Sequence, residues 1–428
     1  LSIIMDNYRF VDIGPRQVNV EKHTYRFLQG LRGSWKSWDW ETAIFFSKAK
    51  SKDITSNRLS NSLVEQSLAL STPEAYNPFN GGGNYEDYLL YSQDQTPSID
   101  GSIKDAIIDV YRKGERELKG WDFRITNLDF LEIRSGYISL VAGAEYREDS
   151  FRDDRDPRLD GTVLYKDKDG DTYPFVSDVM NSSPTPDSAG KRDVVSSFFE
   201  LGIPLVSDEM NIPFVKSINI QLAGRYEDFS DIGSKSVPKI AIGWQLDDQL
   251  MFRGSWSKGF RAPNLIQINE SIVSRQIYGV DALLCLQQIN TNGKIDYCDY
   301  SLQRVASGSK ELRPEESTNI SLGIVYEPKS IKNLIFTLDW WEIEKQDTIG
   351  LFGEDNIMLT DLILRMETNN INNCSLVKSS PLVYRESPDE SEIENYLNAG
   401  ICPAGRVTRV VESYQTVSYT HLTLPTTD

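Results

Sequence analysis

Hydrophobic and polar residues alternate one by one along several long stretches of the chain. In the stretch 218–228, INIQLAGRYED, the side chains of Ile218, Ile220 and Leu222 fall on one face and polar side chains fall on the other. A period of two is the pattern of a β-strand whose two faces meet different surroundings. The same pattern returns in the stretches 38–47, 137–147, 250–257 and 334–340. The chain is therefore predicted to be all-β.

These stretches are longer than the strands of soluble proteins, which run for about five to six residues. A tilted strand that crosses a bilayer needs about 9–11 residues. Tryptophan and phenylalanine gather near the ends of the stretches, as in the aromatic girdles of membrane barrels; examples are Trp35, Trp38, Trp40, Trp121, Phe123, Trp244, Trp256, Trp340 and Trp341. No run of roughly 18 apolar residues occurs. A membrane crossing would then require a closed barrel, because only helices and barrels satisfy every backbone group in hydrocarbon.

Ten strands are predicted, and the segments between them are short and long in turn. The strands lie near 18–33, 37–52, 120–132, 137–150, 192–206, 214–229, 236–246, 250–261, 315–327 and 331–346. Short turns are expected at 34–36, 134–136, 207–213, 247–249 and 328–330, and long loops at 53–119, 151–191, 262–314 and 347–403, with a short connection at 230–235 as the exception. In outer-membrane barrels the short turns are periplasmic and the long loops are extracellular. We expect the same arrangement here.

Two features of the long loops are predicted separately. The spacing of Ile103, Ile107, Ile108 and Tyr111 within 99–118 is typical of a short amphipathic helix across the outer mouth. Aromatic and amide residues of the first long loop suit either ligand contact or a loop core; they are Tyr76, Asn77, Phe79 and Tyr85.

The net charge of −18 argues against nucleic acid as a partner, since binding to phosphate backbones needs a basic face. Only two histidines occur, His23 and His421, so histidine acid–base catalysis and multi-histidine metal sites are not expected. The protein is predicted not to be an enzyme, and no cofactor is expected.

Four cysteines form two local pairs in polar, turn-rich segments, Cys285 with Cys298 and Cys374 with Cys402. An even count and local spacing favour two loop disulfides over four unrelated thiols. A weak calcium candidate is the acidic turn that contains Asp167, Asp169 and Asp171. Its spacing is incomplete for a calcium loop, so a solvated turn is the more ordinary interpretation.

The chain resembles the barrel of a TonB-dependent outer-membrane receptor. The resemblance rests on RGSWSKGFRAPNL (253–265), on LAGRYEDFSDIGSKSVPKIAIGWQLDDQLMFRGSW (222–256), on ELRPEESTNISLGIVYEP (311–328) with FTLDWWEIEKQDTIG (336–350), on SLVAGAEYREDSFRD (139–153) and on GLRGSWKSWDWETAIFFSKAKS (30–51). It implies a transmembrane antiparallel barrel of about 22 strands closed by an N-terminal plug. It also implies uptake driven through an energy-coupling box that contacts the periplasmic protein TonB. On this resemblance, the alternating residues of RGSWSKGFRAPNL belong to a membrane strand. The strand is expected to end at Pro263, where the chain leaves the membrane.

On this resemblance, residues 1–416 are expected to be about half of such a barrel, without the plug domain or the last strands. Residues 417–428, VSYTHLTLPTTD, resemble a translated sequencing adaptor and are expected not to be native.

The two faces of the strands are assigned accordingly. Lipid-facing positions are expected to include Ile220, Leu222, Phe252, Phe336 and Leu338. Charged candidates for the lumen lining are Glu145, Arg147, Arg225, Glu227, Arg253 and Asp339. Because a polar interior is expected of any such barrel, contact with the plug or with water is the simpler role for each of them.

The expected function is that of an outer-membrane receptor of a Gram-negative bacterium for energy-coupled uptake of a large nutrient, either a ferric siderophore or an oligosaccharide. Its partners would be outer-membrane lipid, its own plug, TonB and a small to mid-sized nutrient ligand. The alternative is a soluble or surface all-β module for carbohydrate binding or adhesion, since soluble sandwiches also alternate. A hydrolase would need a carboxylate pair that no sequence motif marks.

Overall fold

The computed structural model describes residues 13–76 and 101–417, together with Tyr8, Phe10 and Pro78. In chain order the elements are β1 Gln17–Trp35, β2 Trp38–Leu59, α1 Asn61–Ala69, α2 Gly101–Ala106, β3 Ile107–Ile133, β4 Gly136–Arg155, α3 Pro157–Asp160, β5 Leu164–Lys166, β6 Thr172–Ser177, β7 Ser188–Val206, β8 Ser217–Phe229, β9 Gly233–Gln245, β10 Leu250–Arg261, α4 Leu265–Asn269, β11 Val273–Val280, α5 Ala282–Asn292, β12 Asp299–Ser307, β13 Glu315–Tyr326, β14 Phe336–Gln346, β15 Thr348–Gly350, α6 Glu354–Glu367, β16 Val383–Arg385, α7 Glu390–Asn398, β17 Val407–Ser413 and β18 Gln415–Val417. No helix in these ranges is both long enough and apolar enough to cross a membrane.

One large antiparallel sheet of ten strands dominates the fold. Its order is β1-β2-β3-β4-β7-β8-β9-β10-β13-β14, so every strand pairs with the next long strand in the chain. These are the ten strands predicted from the alternation, in the predicted order, and the all-β prediction is confirmed. The turns predicted to be short are short, including the connection between β8 and β9.

Several strands reach further at their loop ends than the sequence predicted. Strand β2 continues to Leu59 and β3 begins at Ile107, where the predicted limits were 52 and 120. In these extensions both faces carry polar residues, as in the stretch RKGERE from 112 to 117. The alternation of hydrophobicity therefore disappears, although backbone pairing between β2 and β3 continues through Val110 and on to Ile107.

The prediction of an amphipathic helix over 99–118 is wrong for most of that segment. Only Gly101–Ala106 is helical, and Ile107, Ile108 and Tyr111 belong to β3. Tyr111 pairs with Ile54 and Ile108 pairs with Arg58 on β2. Backbone pairing with a long neighbouring strand outweighs the weak periodicity of a short segment.

The two faces of the large sheet differ in chemistry. An apolar row crosses six neighbouring strands through Ile203, Ile220, Ile242, Leu322 and Trp340, with Gly254 at the corresponding position of β10. Most of these side chains are exposed. Leu338, on the same face, is 71% exposed.

Strand parity places all five residues expected to face lipid on this apolar face. Arg225, Arg253 and Asp339 lie on the opposite face, which we call the polar face.

A smaller folded unit is built from two of the segments predicted to be plain loops. Strands β11, β12, β17 and β16 form a four-stranded sheet, and helix α6 packs against it. The buried cluster between them consists of Leu302, Ile357, Met358, Val383, Val407 and Val410. We call this unit the loop domain, residues 273–307 and 351–413.

The segments next to β2 and β14 test two smaller predictions. Tyr76 is buried in a cluster with Leu59, Val64 and Ile103, as a loop-core residue would be. Asn77, Phe79 and Tyr85 lie outside the described residues. Val417 ends β18, which pairs with β15, and residues 418–428 are outside the described ranges. The predicted boundary at 416 stays a prediction.

Candidate functional site

Four of the six predicted lumen candidates meet in one network on the polar face. Arg225 donates to Glu227 at 2.8 Å and also to Glu145, which lies on β4. Glu227 accepts a further hydrogen bond from Ser196 at 3.2 Å. The Arg147 guanidinium group lies 3.7 Å from the same Glu227 carboxylate. Two arginines and two glutamates neutralise one another, and the network ties β4, β7 and β8 together. Whether these residues also touch a ligand stays a prediction.

The fifth candidate, Arg253, forms a separate pair with the sixth, Asp339. Its guanidinium group donates to both carboxylate oxygens of Asp339 at 2.7 Å. Arg253 lies on β10 and Asp339 on β14, so the pair spans the intervening strand β13 at Gly323. A Cβ atom at position 323 would overlap the carboxylate of Asp339 and lie 2.7 Å from the Nε atom of Arg253. The ion pair between Arg253 and Asp339 therefore requires glycine at position 323.

A buried ionic cluster, which the sequence analysis did not predict, holds the loop domain together. The Arg385 side chain is only 6% exposed and donates to both carboxylate oxygens of Asp281, at 2.7 and 2.9 Å. It also donates to Asp361 on α6 at 3.2 Å and to the Gly405 carbonyl at 3.0 Å. Burial opposes the positive charge, but the hydrogen bonds that Arg385 donates to Asp281 and the charges of Asp281 and Asp361 prevail and raise the pKa of Arg385.

Tyr300 extends this cluster. Its hydroxyl donates to Asp281 at 2.8 Å and accepts from the backbone N–H of Val407 at 2.6 Å. Burial and the neighbouring Asp281 carboxylate raise the pKa of Tyr300, which keeps the hydroxyl protonated as a donor. Asp281 also caps helix α5. The cluster joins two connections whose residues are about 100 positions apart in the chain, so no local motif marks it.

The predicted cysteine pairs are joined within the loop domain. Cys285 is bonded to Cys298 with the Cα atoms 5.2 Å apart, and Cys374 is bonded to Cys402 with the Cα atoms 5.5 Å apart. Each bond closes a loop within one connection, whereas the Arg385 cluster joins the two connections to each other.

The acidic turn at 167–171 is closed by its own hydrogen bonds. The Asp167 carboxylate accepts from the backbone N–H groups of Asp169 and Asp171 at 3.0 and 2.9 Å, and from the Tyr173 hydroxyl at 2.7 Å. The bond from Tyr173 is the main reason why the pKa of Asp167 is lowered. Among the described residues, no group of three or more His, Cys, Asp or Glu side chains could hold a metal ion. The weak calcium candidate gains no support.

Three comparisons relate the chain to known proteins. The sequence model of the family described as TonB dependent receptor-like, beta-barrel, matches residues 6–373. The probable TonB-dependent siderophore receptor PirA of Acinetobacter baumannii is 27% identical over 210 residues, which is 49% of this chain and 23% of that protein. The chain thus spans about a quarter of the length of this curated relative.

Solved structures of two receptors are similar to the chain at low identity. The siderophore receptor PirA from Acinetobacter baumannii gives a TM-score of 0.45 with 18% identity, over 93% of this chain and 41% of that one. A mutant of the ferric enterobactin receptor PfeA from Pseudomonas aeruginosa gives 0.47 with 14% identity, over 94% and 40%. Since the family model covers well over half of the residues, the chain belongs to the family of TonB-dependent receptor-like β-barrels, as its sequence motifs predicted.

Proposed function

We propose that this chain forms part of the barrel wall of an outer-membrane receptor that takes up an iron-loaded siderophore by energy-coupled transport in a Gram-negative bacterium. The observation that carries the proposal is the two-faced sheet. Its ten long strands present an exposed apolar face on one side and a polar, internally ion-paired face on the other. This is the cross-section of a membrane barrel around a polar interior.

The exposed apolar face argues against a soluble module. Soluble monomers rarely expose apolar patches larger than a few hundred Å². Here the exposed row through Ile242, Leu322 and Trp340 continues into its neighbours Ile240 and Leu338. The alternative of a soluble module for carbohydrate binding or adhesion therefore has no observation in its favour.

The choice of a siderophore over an oligosaccharide comes from the relatives. The curated relative is described as a probable siderophore receptor, and one of the solved structures is a ferric enterobactin receptor. The partners proposed with this function are outer-membrane lipid, the plug of the full-length receptor and TonB. No enzymatic reaction is proposed.

Uptake of radioactive iron tests the proposal. The full-length receptor is produced in a Gram-negative host that lacks its own iron-chelate receptors, and ferric chelates of several classes are supplied. Uptake is expected for at least one chelate, and it should stop when the host's TonB is deleted. Transport of labelled oligosaccharides without any iron uptake would reject the siderophore and favour the carbohydrate alternative.

A further inference from the structure

The connection between β7 and β8, residues 207–216, is the longest of the turns at its end of the sheet. It begins with a single 3-10 turn, Asp208–Met210. It ends with a tight turn, in which the backbone N–H of Val215 donates to the Ile212 carbonyl at 3.1 Å. Pro213 and Phe214 are the two central residues of this tight turn, which we call the 212–215 turn.

Phe214 has an unfavourable backbone conformation, with a φ of +62°. Proline at the first central position and a positive φ at the second are the type II pattern, and the second position normally holds glycine or asparagine. A bulky side chain at positive φ is sterically disfavoured. Packing within the chain does not compensate for this, because the Phe214 side chain is 80% exposed. Local strain of this kind is a reason to look for a function of the side chain it presents.

The 212–215 turn stands on a rigid base. The backbone N–H of Lys216 donates to the Gln245 carbonyl at 2.9 Å. The Lys216 side chain is paired with Asp248 in the next turn, and Asp248 also accepts a hydrogen bond from Lys329 at 2.6 Å. Three turns at this end of the sheet are therefore joined through one carboxylate.

Trp244 shows on which side of the sheet the 212–215 turn lies. Its indole N–H donates to the Phe214 carbonyl at 3.2 Å. In the sheet register Trp244 pairs with Ile218 on β8 and with Phe252 on β10, which are positions of the apolar face. The Trp244 and Phe252 rings lie 5.4 Å apart. The backbone of Phe214 therefore lies at the rim of the apolar face.

The exposed surface of the connection is apolar where it meets this rim. Ile212 is exposed as well as Phe214, and Trp244 is followed along β9 by the exposed Ile242. The charged residues at the start of the connection are both acidic, Asp208 and Glu209, and Lys216 is already paired. Attraction to negatively charged headgroups is therefore not what the connection offers, and burial of apolar surface is.

We propose that the 212–215 turn is a membrane-interface anchor, whose Phe214 side chain inserts among the headgroups and upper acyl carbons of phospholipids in the periplasmic leaflet. Aromatic rings are favoured at this depth. Contact with lipid supplies the burial that Phe214 lacks within the chain and offsets its unfavourable φ. The inference rests on the membrane location in the proposed function, and it is independent of the transported ligand.

Fluorescence quenching in phospholipid vesicles tests the anchor. The full-length receptor carries a single added cysteine, labelled in detergent with an environment-sensitive fluorophore before reconstitution. One quencher is a phospholipid with a nitroxide near the top of its acyl chain, and the other is iodide on both sides of the membrane. The label of Phe214→Cys should be quenched by the nitroxide lipid about threefold more than that of Glu209→Cys. Iodide should give the opposite order.

Glu209→Cys is the matched control, because Glu209 is an exposed residue of the same connection. Leu222→Cys on the apolar face separates the anchor from the membrane location itself. If a nitroxide deep in the acyl chain quenches the Leu222→Cys label while the two labels of the connection behave alike, the anchor is rejected and the barrel stands. If lipid nitroxides quench none of the three, the membrane location falls together with the anchor. Heat-modifiable electrophoretic mobility shows that each variant has folded.

Photocrosslinking in living cells distinguishes lipid from a protein partner. The photoreactive analogue p-benzoylphenylalanine takes the place of Phe214 in the full-length receptor, and intact cells are irradiated. The peptide that contains position 214 is expected to gain the mass of a phospholipid. A protein adduct without a lipid adduct would overturn the anchor and identify the turn as a docking point for a periplasmic protein. Absence of any adduct would place the side chain in water and overturn it as well.

Discussion

At the scale of single residues, strand parity decides most of what each side chain meets. Neighbours such as Gln221 and Leu222 lie on opposite faces of β8 although they are adjacent in the chain. Gln221 donates to Glu200 on the polar face at 2.5 Å, while Leu222 pairs with Ile240 on the apolar face. Whether a substituted side chain lies on the apolar or the polar face therefore follows from the parity of its position in the strand.

Replacing each of these two neighbours with arginine tests the assignment of the faces. Leu222→Arg places a charge on the lipid side and should cost about 2–4 kcal/mol near the middle of the membrane. Gln221→Arg should cost little, because the new side chain can pair with Glu200. The measurement is a folding titration of the full-length receptor into lipid vesicles. Equal losses for the two variants would contradict a membrane barrel.

Asp248 in the turn between β9 and β10 gives a residue-scale prediction for pH. Hydrogen bonds from Lys216 and Lys329 lower its pKa to about 2. An unperturbed Asp has a pKa near 3.9. The two ion pairs therefore favour the folded turns fully above about pH 4, and this contribution is lost as the pH falls toward 2.

A carbon-13 titration of the aspartate carboxyl groups in the full-length receptor measures this pKa, and Asp248→Asn assigns the signal. The same variant should flatten the pH dependence of the turn region between about pH 4 and 2. A midpoint near 3.9 would show that neither lysine contacts Asp248 in solution.

At the scale of elements, the loop domain shows how two connections become one folded unit. Strand β12 comes from one connection and β17 from the other, and they pair in parallel through Val305 and Val411. The Arg385 cluster joins the same two connections through Asp281. The loop domain is therefore expected to open as a unit when either contact is lost.

Arg385→Ala tests this cooperation. Removing one partner of a buried ion pair leaves charges buried without compensation, which costs about 3–5 kcal/mol. Hydrogen exchange should rise together in β11, β12, β16 and β17 and stay unchanged in the ten-stranded sheet. Lys294→Ala is the control, since Lys294 is mostly exposed and lies 3.7 Å from Asp296. Faster exchange limited to β16 would contradict a single unit.

The two disulfides are the second element-scale prediction. Sequence separations of 13 and 28 residues correspond to about 3 kcal/mol of stabilisation for each bond in the chain-entropy model. Peptide mapping of the unreduced full-length receptor should find Cys285 with Cys298 and Cys374 with Cys402. Free thiols or crossed pairs would refute the assignment.

At the scale of the whole molecule, the alternation of connections fixes which end of the sheet faces outward. Consecutive antiparallel strands place successive connections at opposite ends, so the loop domain lies at the end of the ten strands opposite the short turns that follow β1, β3, β7, β9 and β13. The short connection between β8 and β9 lies at the same end as the loop domain. If the sheet crosses the outer membrane, the bilayer separates the two sets of connections.

Labelling of single cysteines on intact cells tests this sidedness. Tyr278→Cys in β11, where the native side chain is 83% exposed, should react with a membrane-impermeant maleimide. Lys329→Cys, in the turn between β13 and β14, should react only after the outer membrane is breached. The four native cysteines are bonded in pairs and add no background. Labelling of both sites on intact cells would favour a soluble module, and labelling of Lys329→Cys alone would invert the topology.

The sequence by itself determined the ten strands, their order and the parity of each position, because a period of two persists wherever one face is apolar and the other polar. It also predicted that Glu145, Arg147, Arg225 and Glu227 share a face. Only the tertiary structure decided where the strands end, since polar residues on both faces erase the pattern beyond the apolar zone. Tertiary structure alone also brought Arg385 to Asp281 and α4 to the wall at Gly190, because these contacts join positions that about 80 to 100 residues separate. Such pairings depend on register and on strand neighbours, which no local window of sequence contains.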